Sequence, residues 1–359
     1  MKTPSIRKNL IFDLISQMVR FLVPMVVTPY ISRVFSVDGI GIYSYTTANV
    51  TFFTLFSMLG ISGHGRRQIA ANRDDREETT RIFFELQFLH FLTFLLTSGI
   101  YLILVVYSVK YRGYYLAHFI TLLSCLFDIS WFFQAFESFG SIAIRNICSR
   151  VLLVIFVFTF IHSKDDLILY IFLNALTVLI ENISLWPELK KLTKPVRIRT
   201  LNPWRHMKEV MIFFIPTISA SVYSVLDKSV INWVTQDENQ NGYYEQAYKV
   251  LQVGNAVVQT LATVSGPRMT HIFSKGNMVE LKQRINHSLC IMLLIAFPVA
   301  FGIAAITPVF VPAFFGSGYD QVTYILYIFM PLVVILGFSV YLDGLYLVPI
   351  GKRKESECR

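Results

Sequence analysis

The chain has 359 residues, of which 54% are hydrophobic and 15% charged, with 32 Lys and Arg against 23 Asp and Glu. Soluble domains carry about a quarter of their residues charged, so this composition excludes an ordinary soluble globular protein. The net charge of +9 raises a nucleic-acid partner as an option, and the placement of the cations along the chain decides against it below.

Apolar residues come in runs of roughly twenty, the length at which a helix crosses a ~30 Å hydrocarbon core. Inside lipid every backbone polar group needs an internal partner, so such runs form helices. Strands of a membrane barrel would alternate apolar and polar residues, and stretches such as 151–161 and 291–306 do not. The expected fold class is all-α, a polytopic membrane helix bundle.

Taken in chain order, about ten spans are predicted, near 9–31, 39–61, 82–108, 114–136, 145–162, 166–186, 210–234, 243–265, 288–310 and 321–349. The first follows a short basic start (Lys2, Arg7, Lys8) without a small-residue cleavage site, so it stays as a helix rather than leaving as a signal peptide. With the N-terminus placed in the cytoplasm, the inside segments hold twenty-five Lys and Arg. The outside loops hold Arg33, Lys110, Arg112 and Lys164. That imbalance is the positive-inside pattern, and a miscounted span would scramble it. It also accounts for the basic run from Lys190 to Lys208 as a cytoplasmic loop beside anionic lipid, with no nucleic acid required. Trp131, Trp186 and Trp233 fall near span ends, where interfacial anchors are expected.

The two halves echo each other. Span one carries Phe21-Leu22-Val23-Pro24 and span seven Phe213-Phe214-Ile215-Pro216. The next helices open with Gly39-Ile40-Gly41-Ile42-Tyr43 and Gly242-Tyr243-Tyr244-Glu245, and end in Gly65-Arg66-Arg67 and Gly266-Pro267-Arg268. An even number of helices separates the equivalents, so the halves run parallel about an axis along the membrane normal, as in transporters that rock one bundle against another. The expected domains are a six-helix lobe with a basic linker over 1–209 and an incomplete four-helix lobe over 210–359.

Ionisable residues inside spans mark hydrated cavities or relays. Arg20, Lys228 and Lys249 lie in the first two spans of either half, so they are expected to line an inter-bundle path. Cations there suit an anionic cargo such as a diphosphate. Asp13, Asp128, Asp227 and Asp343 are expected to couple an ion or pair charge. Glu85, Glu181 and Glu245 read as residues within a turn of the interface that snorkel. Pro24, Pro216 and Pro298 permit kinks. Four scattered cysteines and seven isolated histidines predict no disulfide framework and no metal site. Gly39-Ile40-Gly41-Ile42 opens a span and is no phosphate loop. The expectation is a protein without cofactor, not an enzyme, whose transport follows an ion gradient or runs downhill.

Pro29-Tyr30-Ile31-Ser32-Arg33-Val34-Phe35, then Gly39-Ile40-Gly41-Ile42-Tyr43-Ser44, then Leu59-Gly60-Ile61 with Gly65-Arg66-Arg67-Gln68, resemble the opening of the bacterial polysaccharide flippase family. Asp128-Ile129-Ser130-Trp131-Phe132-Phe133-Gln134 resembles its fourth helix, and Leu226-Asp227-Lys228, Gly242-Tyr243-Tyr244-Glu245 and Pro267-Arg268-Met269 continue the order. That family belongs to the multidrug/oligosaccharidyl-lipid/polysaccharide exporter superfamily. The resemblance implies two six-helix lobes around a cationic cavity in the bacterial inner membrane. It also implies movement of undecaprenyl-diphosphate-linked repeat units for O-antigen, capsule or exopolysaccharide, with a polysaccharide polymerase and chain-length machinery as partners. The family has twelve or more helices and this sequence shows ten, so a C-terminally truncated copy, functional or not, is expected. The competing readings are an exporter of drugs or another lipid-linked precursor, which would favour an acidic cavity, and a membrane polymerase, which would need larger external loops than 235–241.

Overall fold

The computed structural model describes residues 6–196, 201–274 and 278–342, and within these the side chains of Asp13, Arg20 and most of 260–279 are not included. Asp343 lies outside the described residues. The described chain is helical with no strand, in the order α1 (Ile6–Met58), α2 (Ile61–Ala71), α3 (Arg76–Tyr107), α4 (Arg112–Leu126), α5 (Ser130–Ala135), α6 (Phe139–Phe160), α7 (Leu167–Ile183), α8 (Trp186–Leu192), α9 (Met207–Thr235), α10 (Glu238–Ser274), α11 (Met278–Phe315) and α12 (Asp320–Tyr341). Among the described residues all ten predicted spans fall mainly on helix, the tenth as far as Tyr341. Among the described residues, six helical stretches are long and apolar enough to cross a membrane: Arg76–Tyr107, Arg112–Ala135, Phe139–Phe160, Lys164–Leu192, Lys282–Phe315 and Asp320–Tyr341.

Two departures from the predicted layout have local causes. Spans one and two are not separated by a loop. They are the two arms of α1, divided at Ser36 alone, whose backbone (φ 58°, ψ −175°) breaks the helical register. The fourth span is α4 and α5, with a break between them. Phe127 and Asp128 close turns back to Ser124 and Cys125, and Asp128 then caps α5 by accepting from the Ser130 amide at 2.9 Å.

Contacts divide the chain into two compact units, Met1–Glu238 and Asn239–Arg359. Described residues of the first include three apolar clusters. Val27, Ile31, Phe35 and Ile40 of α1 meet Leu153 and Val157 of α6 and Tyr170 and Ile171 of α7. Val50 packs with Phe94, Tyr101, Tyr115 and Leu122 of α3 and α4. At the basic side Ile61, Ile69, Phe83, Leu86, Phe132, Phe133, Leu189 and Val210 bring α2, α3, α5, α8 and α9 together. Trp131 belongs to this last cluster at 1% exposure, so it is a core residue rather than an interfacial anchor. Its ring lies against Gly65, where any Cβ would fall within 2.6 Å of it, and that leaves glycine the fitting residue. Trp233, by contrast, is exposed.

Polarity in this unit is inverted relative to a soluble domain. Thr79, Thr80, His90, Thr97, His118, Ser124 and Thr177 are buried, while Ile144, Val151, Ile155 and Phe158 form an exposed stripe on one face of α6. In water such a stripe would drive aggregation, whereas against lipid it is the expected surface.

In the second unit α11 packs along α12. α10 approaches both closely. Gly254 sits against Val333, Ile303 and Val299, and a Cβ at Gly337 would lie 2.8 Å from Val258. Small residues at such crossings let helices pack without the drive of water exclusion.

Candidate functional site

The second arm of α1 carries Tyr43, Thr46 and Asn49 three residues apart, which puts them on one face. Between them they hydrogen-bond three other helices. The Asn174 amide of α7 donates to the Tyr43 hydroxyl at 3.2 Å, and Thr46 Oγ1 lies 3.2 Å from His118 Nε2 of α4. Asn49 Nδ2 donates to the Tyr115 hydroxyl at 2.7 Å, and Ser229 of α9 donates to Asn49 Oδ1 at 2.9 Å. Tyr101 of α3 donates to the Tyr115 carbonyl at 2.7 Å. This seam ties five helices of the first unit together through polar groups that lipid would otherwise leave unsatisfied.

A second polar cluster sits at the basic side. Glu85 of α3 has no exposed surface. Its carboxylate accepts from Arg205 Nε at 2.7 Å, Arg81 Nε at 3.1 Å and the Asn202 amide at 2.8 Å. His206 Nε2 lies 2.9 Å from the same carboxylate, and His206 Nδ1 lies 3.0 Å from Nε2 of the buried His64. One order of donors satisfies this array: His64 Nε2–H to His206 Nδ1, then His206 Nε2–H to Glu85. Burial and the neighbouring His206 hold His64 down at about 4, and burial lowers His206 against its hydrogen bond with Glu85. Both imidazoles are therefore neutral at neutral pH, and the array links α2 to α3 without an unpaired buried charge. Glu85 does not snorkel to the interface as expected. The linker before α9 folds back and delivers the guanidinium and imidazole that let it ionise inside.

On the opposite side Lys110 pairs with Glu238, and the Tyr111 hydroxyl donates to the same carboxylate at 2.8 Å. Burial works against ionisation of Glu238, and these hydrogen bonds overcome it, so its pKa lies below the usual carboxylate value.

The sequence-predicted site residues within the described chain are spread over α1, the α4–α5 break, α9 and α10. Asp13 and Arg20 lie on the first arm of α1. Asp227 and Lys228 are neighbours on α9 in the first unit, Asp227 exposed and Lys228 half-buried, and the next residue, Ser229, is in the polar seam. Lys249 belongs to the second unit, where it lies 3.8 Å from Glu245 one helical turn earlier. Asp128 is half-buried and caps α5. Sequence reasoning read Glu85 as a snorkelling residue and did not join it to His64 and His206, and a signal for them existed. A glutamate one turn into a span, with an Arg-His pair in the most basic linker, is a charge looking for a partner.

A family model described as polysaccharide biosynthesis protein matches residues 6–273. The chain belongs to this family. Among curated proteins, a putative O-antigen transporter of Escherichia coli (strain K12) is 21% identical over 341 residues, covering 93% of this chain and 81% of that protein. A putative O-antigen transporter of Shigella dysenteriae is also 21% identical, covering 97% of this chain and 87% of its own length. Among solved structures, the outward-facing conformation of a multidrug resistance MATE family transporter of the MOP superfamily aligns with a TM-score of 0.60 at 14% identity, over 97% of this chain and 82% of that one. A MATE structure in the bent conformation aligns at 0.51 and 14% identity, over 95% and 86%. These likenesses establish a membrane-transporter fold.

Proposed function

We propose that this chain is a flippase that carries lipid-linked oligosaccharide repeat units across the bacterial cytoplasmic membrane for O-antigen, capsule or exopolysaccharide assembly. The observation that carries the reading is the family match over 6–273, joined to a fold built for transport. The positive-inside count supports a cytoplasmic N-terminus. On this reading the halves 1–209 and 210–359 act as lobes of an alternating-access carrier. Arg20, Lys228 and Lys249 then meet the diphosphate, and Asp13, Asp128, Asp227 and Asp343 serve coupling or charge balance. The half-burial of Lys228 and Lys249 within helices supports a lining role, since a cation at that depth needs water or an anion beside it. The cargo is a lipid-linked oligosaccharide, and polymerase and chain-length proteins follow as functional neighbours.

The test is complementation of a strain lacking its own oligosaccharide flippase, read as surface polymer. Restoration supports the reading. Failure by a chain shown to be inserted and folded, across several repeat-unit backgrounds, would overturn it. Arg20→Ala and Lys228→Ala are each expected to cut export at least tenfold while leaving insertion unchanged. Full export by both would remove the cationic path.

A further inference from the structure

An open groove of about 460 Å³ runs along the first unit beside the basic end of α3. Phe84, Phe88 and Phe91 of α3 form one wall, with Phe127 from the α4–α5 break, Trp186 at the start of α8 and Leu201 of the linker around them. The side-chain nitrogens at its edge are engaged. Gln87 Nε2 donates to the Leu126 carbonyl at 2.8 Å, and Trp186 Nε1 to the Phe127 carbonyl at 3.0 Å. The groove therefore offers hydrocarbon and aromatic surface with no hydrogen bond to give, and its occupant is a hydrocarbon chain.

The charge beside it specifies the headgroup. After Trp186, the segment 187–194 holds Lys190, Lys191 and Lys194 against the single acid Glu188. It is fastened beside the groove. Arg76 of α3 donates to the carbonyls of Leu192 at 3.0 Å and of Lys191, and the Lys194 amide donates to Thr80, one turn before Phe84, at 3.1 Å. Lys190, Lys191 and Lys194 are exposed. An apolar slot whose mouth carries a tethered basic segment matches an acyl chain joined to an anionic head.

We infer that this groove is a binding site for an anionic phospholipid, with one acyl chain against Phe84, Phe88 and Phe91 and the phosphate on Lys190, Lys191 and Lys194. The occupant is a resident lipid rather than cargo, because neither Asp227 nor Lys228 of the same unit is among the groove's lining residues. The inference rests on the membrane fold and stands apart from the transport reading.

The test uses the full chain in phosphatidylcholine nanodiscs with trace phosphatidylglycerol carrying a diazirine near the end of one acyl chain. Labelling is expected on the peptide containing Phe84–Phe91 and on Phe127, displaced by unlabelled phosphatidylglycerol and not by phosphatidylcholine. K190Q/K191Q/K194Q is expected to weaken that displacement by roughly fivefold per cation removed. Labelling at Phe158, on the lipid-facing stripe of α6, stays unchanged and reports that the variant is folded. Equal displacement by phosphatidylcholine, or no effect of the triple substitution, would mean ordinary boundary lipid and overturn the site. Displacement by a polyprenyl phosphate but not by phosphatidylglycerol would overturn it too, by making the groove a cargo-tail site.

Discussion

Glu85 shows how a charge enters a membrane helix: two guanidinium groups, one imidazole and a backbone amide all reach its two oxygens. Removing the carboxylate leaves those donors facing each other, and breaking a buried pair costs more than the pair contributes. Because Arg205 and Arg81 are each about a third exposed and regain water, we expect Glu85→Ala to lower stability by about 2–4 kcal/mol. Glu137→Ala, which removes a half-exposed partner of Arg73, is expected to cost under about 1 kcal/mol. Thermal unfolding in detergent, followed by tryptophan fluorescence, compares the two. Equal losses would show that the cluster is no stronger than a surface pair.

Among elements, the contact that holds α9 in the first unit is a backbone crossing. A Cβ at Gly60, between α1 and α2, would collide with the Val210 carbonyl and lie 2.7 Å from the Phe214 amide nitrogen. Backbone cannot step aside as a side chain can, so Gly60→Ala is expected to cost about 1–3 kcal/mol, measured by the same melting experiment. Gly302→Ala, which meets open space, serves as the neutral control. The linker before α9 responds to pH. Glu78, Arg81 and Glu85 of α3, His64 and Arg67 of α2, Arg205 beside His206, and Glu209 of α9 surround the two imidazoles. Both histidines titrate below about 6.5 when folded, so the unfolded chain takes up protons first. Their stabilisation is complete above about pH 6.5 and is lost as pH falls toward about 4. The melting midpoint of the wild type should drop by several degrees across that window. In His64→Gln/His206→Gln it should drop distinctly less.

For the whole molecule, the cation count predicts one topology. After replacement of the native cysteines, Asp74→Cys is expected to react with a membrane-impermeant maleimide only in permeabilised cells, and Asp165→Cys in intact ones. Both positions are exposed. The reverse pattern would invert the chain and with it the sidedness of the transport proposal.

Helix number and placement were legible because lipid imposes a length and an apolar composition that can be counted one residue at a time. The cation bias was legible for the same reason. Family membership followed from short motifs in order. The burial of Trp131, the single-residue break at Ser36 and the pairing of Glu85 with Arg205 and His206 were not legible. Each depends on which distant segment arrives at that point, and no local period encodes a contact 120 residues away. Glu85 read alone is a carboxylate near an interface. Only the linker, folding back over α3, turns it into a buried anion with four donors, and leaves beside it an apolar groove with a basic rim.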